Sequence, residues 1–436
     1  MSFQQGISGL NAASRNLEVI GNNIANANTI GAKVSRVEFA DIYANAALHN
    51  ISDSPGMGVQ VAAVTQQFTQ GAIRTTENPL DMAINGPGFF CVAAPGAGGD
   101  KSFTRNGAFQ LDNQGYIVTN GGLRLQGYAV DAASGRPSGV PGDIKLPSQG
   151  VAPKVTGTGE LALNLDARTP APAASMPAFS LTDPASYTSS TSMSVYDQQG
   201  NEHTLSLYFR RTATDNEWEV YAGVDGTGIP DAGAGAQQPA GRLTFAADGA
   251  LDPKKSGSLA GGAFTAGDLK LDVPFPGSTL PVPPSTSTTT SPVSISLTGS
   301  TQFGSAFGVT RVNQDGYAAG QLSGFGVDDK GMVQARYSNG KTIPAAQVAL
   351  ADFANEQGLV PVGNNLWRAT PNSGEAAMGA PGSANLGALQ GGALEESNID
   401  LTQQLVDMIT AQRAYQANAQ TIKTQDQMLS TLVNLR

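Results

Sequence analysis

A single cysteine, Cys91, in 436 residues excludes an intramolecular disulfide, and its neighbours Phe90 and Val92 mark it as a small buried hydrophobe rather than a nucleophile. Only two histidines occur, His49 and His203, far apart in the chain, so a zinc site or a Ser-His arrangement lacks its usual partners. Each reads as a surface or packing residue. Charge is scarce at 14%, aromatic residues make up 6%, and there are two tryptophans, Trp218 and Trp367. The formal net charge of −10, with no basic patch, argues against nucleic acid or an anionic membrane as a partner. No apolar stretch approaches the length of a membrane span, and the N-terminus lacks a basic segment followed by an apolar run. The expectation is a chain without membrane insertion that is cytosolic or leaves the cell by a route that reads no cleaved signal. Nor does any constellation commit the chain to catalysis, a cofactor or a metal. Gly340-Lys341-Thr342 looks like the end of a phosphate loop, but Ala335 stands where the upstream glycine is required.

What is present is patterned at the two ends. Leu401, Met408, Tyr415, Ile422 and Leu429 repeat every seven residues, Leu405 adds to the companion seam, and no glycine or proline interrupts the run to Arg436. The other positions favour amides such as Gln403, Gln404, Gln412, Gln416 and Asn418 over Lys and Glu, which suits burial among like neighbours. Ser397, Asn398 and Asp400 precede the repeat as candidate caps. At the N-terminus, Phe3, Ile7, Leu10, Leu17 and Ile24 follow the same rhythm, with Ser14 and Gly21 as small positions for the close approach of a partner. Two such helices predict a stem that pairs the termini, with everything between as an excursion from it. The asparagine run from Asn22 to Asn28 ends the first helix near Ala27.

Between the helices, 53 glycines and short apolar runs predict strands and hairpins. Asn85-Gly86-Pro87-Gly88 reads as a tight turn joining Leu80–Ile84 to Phe89–Val92. Asp112–Gly115, Asp197–Gly200 and Asp328–Gly331 read as acidic hairpin turns rather than calcium loops, because the alternating oxygen ligands and distal glutamate are missing. Residues 132–143 and the tract Pro281–Pro292 read as hinges or linkers. The predicted fold is α+β and multidomain: a coiled-coil-like stem of paired N- and C-terminal helices carrying discontinuous all-β domains of short antiparallel strands. The divisions are 1–30 with 393–436 for the stem, 31–70 for an extended connector, 71–147 with 301–392 for an inner β domain, and 148–300 for an inserted outer β domain. A second amphipathic helix over Val37–Leu48 is the alternative within the connector.

Specific strings carry more than periodicity. Ser8-Gly9-Leu10, then Asn22-Asn23-Ile24-Ala25-Asn26-Ala27-Asn28-Thr29 with Gly31 and Lys33, resembles the N-terminal signature of bacterial flagellar axial proteins, the rod, hook and hook-associated subunits. Glu396-Ser397-Asn398-Ile399-Asp400-Leu401, Gln412-Arg413-Ala414-Tyr415-Gln416-Ala417-Asn418 and Asp426-Gln427-Met428-Leu429 resemble its C-terminal signature. Asn78–Phe90 and Phe103-Thr104-Arg105-Asn106-Gly107 extend the likeness, while Ala32 and Gln404 depart from the family's usual aromatic and acidic residues. The resemblance implies a structural subunit, not an enzyme, that is exported without a cleaved signal into an extracellular appendage and polymerises with itself into a helical tube acting as a universal joint. The partners it implies are distal rod subunits, cap and junction proteins at the tube's far end, and the flagellar export apparatus. Length and the large inserted block fit the hook-type members. A distal rod or hook-associated subunit remains an alternative, as does, from another class, a secreted β-rich adhesin or carbohydrate-binding protein.

Overall fold

The computed structural model describes residues 3–41, 58–96, 99–131, 135–172, 176–229, 237–260, 263–274 and 290–434. Helices α1 (Phe3–Ala25) and α2 (Leu401–Asn434) bracket a series of short strands, most of them antiparallel. The chain divides into two compact units. The first comprises Met1–Ser148, Ser323–Arg336 and Thr342–Arg436, and the second Gln149–Leu322 with Tyr337–Lys341. The inserted unit therefore runs about twenty residues past position 300, because the strand Gly308–Gln314 pairs back onto Thr158–Asp166.

In the first unit, the strand Phe89–Ala93 shows why the β core forms. Its side chains alternate faces, so Phe89 and Cys91 enter one apolar cluster with Phe103, Phe353 and Trp367, while Phe90 and Val92 enter another with Met82, Phe109, Ile117 and Leu125. Buried on both faces, this strand is central to its sheet. Edge-to-face aromatic contacts knit the first cluster, Phe103 to Phe353 at 4.7 Å and Phe68 to Phe89 at 5.4 Å between ring centres. Burial lifts the Cys91 thiol to about 11, away from thiolate chemistry.

The second unit has a seven-stranded and a five-stranded sheet sharing one core, with Phe209, Trp218 and Val220 from the first and Leu161, Leu271 and Ile295 from the second. Thr158–Asp166 pairs parallel with Thr290–Ser296 and Thr301–Phe303, an exception to the antiparallel expectation.

The three acidic turns share one construction. In each, the aspartate Oδ1 accepts two backbone amides: Gln114 and Tyr116 at Asp112, Gln199 and Asn201 at Asp197, and Lys330 and Met332 at Asp328, all within 2.7–3.1 Å. The glycine that closes each turn has φ of +86°, +84° or +72°, open to glycine at little cost. The carboxylates are thus committed to the chain's own backbone.

Other local readings are corrected. Met82–Asn85 and Phe89–Ala93 do not pair across Asn85–Gly88; the first joins Ala388–Gly391 and the second joins Lys101–Thr104 and Arg124–Val130. Pro137–Asp143 is a strand against Arg124–Val130 rather than a linker, with a register shift between Ser138 and Gly142. The segment 31–70 holds an antiparallel ribbon of Ser35–Asp41 and Val59–Gln66, with a bulge at Glu38/Phe39. Residues 42–57, including His49 and most of the alternative helix, lie outside the described residues, as do 281–289 of the proline-rich tract.

Candidate assembly interface at the helical stem

Helix α2 starts where Asp400 Oδ1 accepts the amides of Thr402 and Gln403 at 2.8 and 3.2 Å, so Asp400 is the cap among the three candidates. Helix α1 ends in its asparagine run: Asn26 Nδ2 donates to the Asn22 carbonyl and side chain at 3.0 and 3.1 Å, and Thr29 donates to Asn26 Oδ1 at 3.4 Å. Gly31 then turns the chain with φ +69°, in a space where a Cβ would lie 2.6 Å from the Asn106 nitrogen.

The helices pair antiparallel. Gly6 meets Ile422, Gly9 meets Asn418, and Asn23 Nδ2 donates to Gln404 Oε1 at 3.0 Å in a buried contact. Close approach is made at Gly6 and Gly9, where a Cβ would sit 3.0 and 2.9 Å from the opposing side chain, and not at Gly21, which has nothing within 4 Å. The buried stripe of α1 is Ala12, Ala13, Ile20 and Asn23, and that of α2 is Gln404 and Ala411. Ala13, Ile20, Gln404 and Ala411 each lie three residues after a member of the heptads of large residues, about 60° of helix from those lines.

Those large residues are less buried than this stripe. Ile7 is exposed and Leu10, Leu17 and Ile24 are half-buried, while the side chain of Phe3 lies outside the described residues. On α2, Leu401, Leu405 (50% exposed), Tyr415 and Leu429 (56%) are exposed and Met408 and Ile422 half-buried. Val406 and Ile409, exposed by 53% and 51%, join Leu401 and Leu405 in an open apolar surface on the first turns of α2. Of the described seam residues, the structure brings Ile422 against α1, leaves Leu10, Leu17, Ile24 and Met408 half-buried, and leaves Ile7, Leu401, Leu405, Tyr415 and Leu429 exposed.

The signature residues separate into two groups. Asn23 grips the backbone of Ser35 like a strand partner, donating to its carbonyl at 2.8 Å and accepting its amide at 3.0 Å. Asn398 does the same at the other end, accepting the Val34 amide at 2.8 Å and donating to the Gln67 carbonyl and Thr69 hydroxyl at 2.9 and 2.8 Å. Gln412 and Arg413, by contrast, stand exposed beside Tyr415 on α2, while Asn418 turns to Gly9.

At the foot of the stem lies a buried ion cluster that sequence reading missed. Lys33 Nζ meets Glu395 Oε1 at 2.7 Å, with both side chains fully buried, and Arg105 Nη1 lies 3.4 Å from Glu395 Oε2. The Gly71 amide donates to the same carboxylate at 2.9 Å, Lys33 also donates to the Thr69 carbonyl, and Arg105 to the Gly86 carbonyl. Burial lowers the Lys33 and Arg105 pKa values and Glu395 only partly offsets it. Glu395 thus ties residues 33, 71 and 105 to the start of α2. The available signal was a glutamate directly after the apolar pair Ala393-Leu394 in a chain poor in charge, together with Lys33 and Arg105 inside the signature strings.

A helical stem of two chain ends, joined by a seam rich in small residues and amides and leaving apolar side chains of α2 exposed, is the arrangement of a structural subunit with surface open to further contacts. Comparison with known families agrees along the chain. Residues 3–33 match the flagella basal body rod protein family, 83–163 the flagellar hook protein FlgE/F/G D1 domain, 164–317 the flagellar basal body protein FlaE D2 domain, and 390–435 the flagellar basal body rod FlgEFG protein C-terminal family. The chain is 40% identical to flagellar hook protein FlgE of Escherichia coli over the full length of both, and 34% identical to that of Treponema pallidum over all of this chain and 99% of the other. A crystal structure of Helicobacter pylori flagellar hook protein FlgE2 shares the fold, with a TM-score of 0.51 at 13% identity over 73% of this chain and 99% of that one. The chain belongs to the flagellar hook protein family.

Proposed function

We propose that this chain is the hook subunit itself, polymerising through its stem into a flexible helical tube that joins rod to filament and transmits motor torque as a universal joint. The observation that carries the reading is the reversal of the stem's polarity. Its internal seam is rich in glycine, alanine and amides, with Ile20 and Ile422 as its large apolar members, while Leu401, Leu405, Val406 and Ile409 are exposed. A globular helix pair does the opposite. Outward apolar faces with few charges suit burial against other copies, and a heterologous contact that does not close builds a filament. The stem helices line a central channel in this reading, and the second unit supplies weaker, wetter contacts that slide as the tube bends. Distal rod subunits contact one end and cap and hook–filament junction proteins the other, after passage through the flagellar export apparatus without a cleaved signal. The role is structural, not catalytic.

Electron microscopy of flagellar structures from cells lacking this chain tests the proposal. Basal bodies that end at a completed rod, without hook or filament, are expected. Hooks that remain but carry no filament would move the subunit to the junction.

A further inference from the structure

Four Asn-Gly pairs occur in the chain, at Asn85-Gly86, Asn106-Gly107, Asn120-Gly121 and Asn339-Gly340. In such a pair the glycine nitrogen follows the asparagine side chain with no Cβ to shield it, so it is placed to attack the side-chain amide carbon. Attack needs a nitrogen free of its own hydrogen bond, a side chain free to rotate, and room for the peptide to turn. The fold denies these conditions to three of the pairs. The Gly86 amide donates to Gln70 Oε1 at 3.0 Å, and Gln70 Nε2 in turn donates to Asn85 Oδ1 at 3.4 Å. Asn106 Oδ1 accepts the Ala108 amide at 3.0 Å, and buried Gly107 is packed so closely on the Met82 carbonyl that no Cβ would fit. The Gly340 amide donates to the Tyr337 carbonyl at 3.0 Å, while Asn339 Nδ2 donates to the Ala318 carbonyl at 2.7 Å and its Oδ1 accepts the Lys341 amide at 3.1 Å.

Asn120-Gly121 stands apart. It forms the centre of a β-turn, Thr119 to Gly122, between the strands Ile117–Thr119 and Arg124–Val130. The turn is closed at its ends: the Gly122 amide donates to the Thr119 carbonyl at 2.9 Å, and the Thr119 amide donates to the Leu123 carbonyl at 2.9 Å. Neither the Gly121 amide nor the Asn120 side chain has a hydrogen-bond partner among the described residues. Asn120, Gly121 and Gly122 are all exposed. A Cβ on Gly121 would meet only Thr119 Oγ1, at 3.8 Å, and one on Gly122 would meet nothing within 4 Å, so the peptide between them has room to swing.

We propose that Asn120 is a self-modifying site of the folded chain, deamidating through a succinimide formed with Gly121, while the fold protects Asn85, Asn106 and Asn339. Hydroxide takes the Gly121 amide proton, the nitrogen bonds to Asn120 Cγ, and Nδ2 leaves as ammonia with a proton from water. Water then opens the five-membered ring at either carbonyl and gives Asp or isoAsp, with nothing oxidised or reduced. The product adds one negative charge to a chain whose formal net charge is −10. That charge arises on the wall of a groove of about 740 Å³ whose lining side chains, Asn26, Asn106, Asn364 and Asn365 among them, carry none. Because water is the only co-reactant, the extent of the change records how long a molecule has stood folded in solution. The inference is independent of the hook reading.

The test incubates the purified full-length chain in mildly alkaline buffer and follows the four sites by mass spectrometry of their peptides. Position 120 is expected to accumulate Asp and isoAsp together at least about tenfold faster than positions 85, 106 and 339, the margin set by one or two hydrogen bonds that have to break first. In urea, where those bonds are gone, the four rates are expected to converge. The φ of Gly121 is not positive and its surroundings are open, so Gly121→Ala keeps the thermal midpoint and circular dichroism of the native chain. Its Cβ shields the attacking nitrogen, and the change at position 120 is expected to slow at least about tenfold. Equal rates at the four sites of the folded chain, or a lead for position 120 that persists in urea, would overturn the protection by the fold. Asp without isoAsp, no change at position 120 of the folded chain, or an unaltered rate in Gly121→Ala would overturn the succinimide route.

Discussion

The stem and the core of the second unit solve burial in opposite ways. Around Trp218 the two sheets close on themselves, and Leu205, Phe209, Val220, Val293 and Ile295 are all fully buried. In the stem, the contact between helices includes Gly6 against Ile422, Gly9 against Asn418 and Asn23 against Gln404, and Leu401, Leu405 and Leu429 of α2 remain half in water. Each half-exposed leucine or isoleucine leaves about 1 kcal/mol of burial unrealised in the single chain. The β core is finished within one molecule, whereas the stem leaves apolar surface open, which in the proposed reading its neighbours cover. The amide seam has its own logic: the Asn23–Gln404 bond fixes one antiparallel register without requiring bulky residues, so the bulky ones stay available.

The sharpest way to break this contrast is to break the helices. Proline at Leu17 or Leu405 removes a backbone hydrogen bond and costs about 3 kcal/mol or more in a helix interior, and hook assembly is expected to be abolished in electron micrographs. Next is a pair of opposite outcomes. Trp218→Ala in the filled core costs about 3–5 kcal/mol in chemical denaturation of the monomer, while its stem surfaces stay unchanged. Leu405→Gln with Ile409→Gln alters monomer stability by less than about 0.5 kcal/mol per site but lowers assembly at least tenfold, read by hook counts and sedimentation. Equal effects on stability from the two sets would erase the distinction between a finished and an unfinished core.

Glycine substitutions give a smaller, sharper measurement on the stem alone. Gly21→Ala meets nothing within 4 Å and improves helix propensity, so it stabilises α1 by up to about 1 kcal/mol. Gly9→Ala places a Cβ 2.9 Å from the Asn418 amide, so that side chain has to give way and the propensity gain is offset or reversed. Helical circular dichroism of assembled material during thermal melting separates the two.

These comparisons also show what local sequence reveals. The acidic hairpins were legible because each is decided by one aspartate, two nearby amides and a glycine with positive φ. The two helices and their pairing were legible from period and signature strings. The contact face was not, because a heptad of large residues shows which side needs burial and not which partner buries it; Gly6 and Gly9 carry no hydrophobic signal. The strand Met82–Asn85 was assigned the wrong partner because its true one, Ala388–Gly391, lies some 300 residues away, where no turn residue points. For the same reason Glu395 could not be matched in advance to Lys33 and Arg105, although losing its charge is expected to be costly. With two cations left without their buried carboxylate, Glu395→Gln destabilises the first unit by about 3–5 kcal/mol in urea denaturation.

Acid should separate the two regions with the smallest effect of the series. In the second unit, burial pushes the Asp197 carboxyl up, but hydrogen bonds from Asn201, Gln199 and His203 outweigh it and hold the pKa below the usual carboxylate value. Asp225 is likewise raised by burial and lowered further by His203, whose Nδ1 lies 2.6 Å away, and by the Thr204 amide. For a carboxyl with a depressed folded pKa, the stabilisation is complete above the unfolded value of about 3.9 and is lost as pH falls through the folded value. The urea midpoint reported by Trp218 fluorescence, in a Trp367→Phe background, is therefore expected to be level from pH 7 to about 5 and to decline below about 4, with a shallower decline in Asp197→Asn and Asp225→Asn. The amide seam of the stem contains no titratable group, so the Asn23–Gln404 contact has no proton to gain over the same range. Helix pairing that weakened in step with the Trp218 transition would show that the two regions do not respond separately to acid.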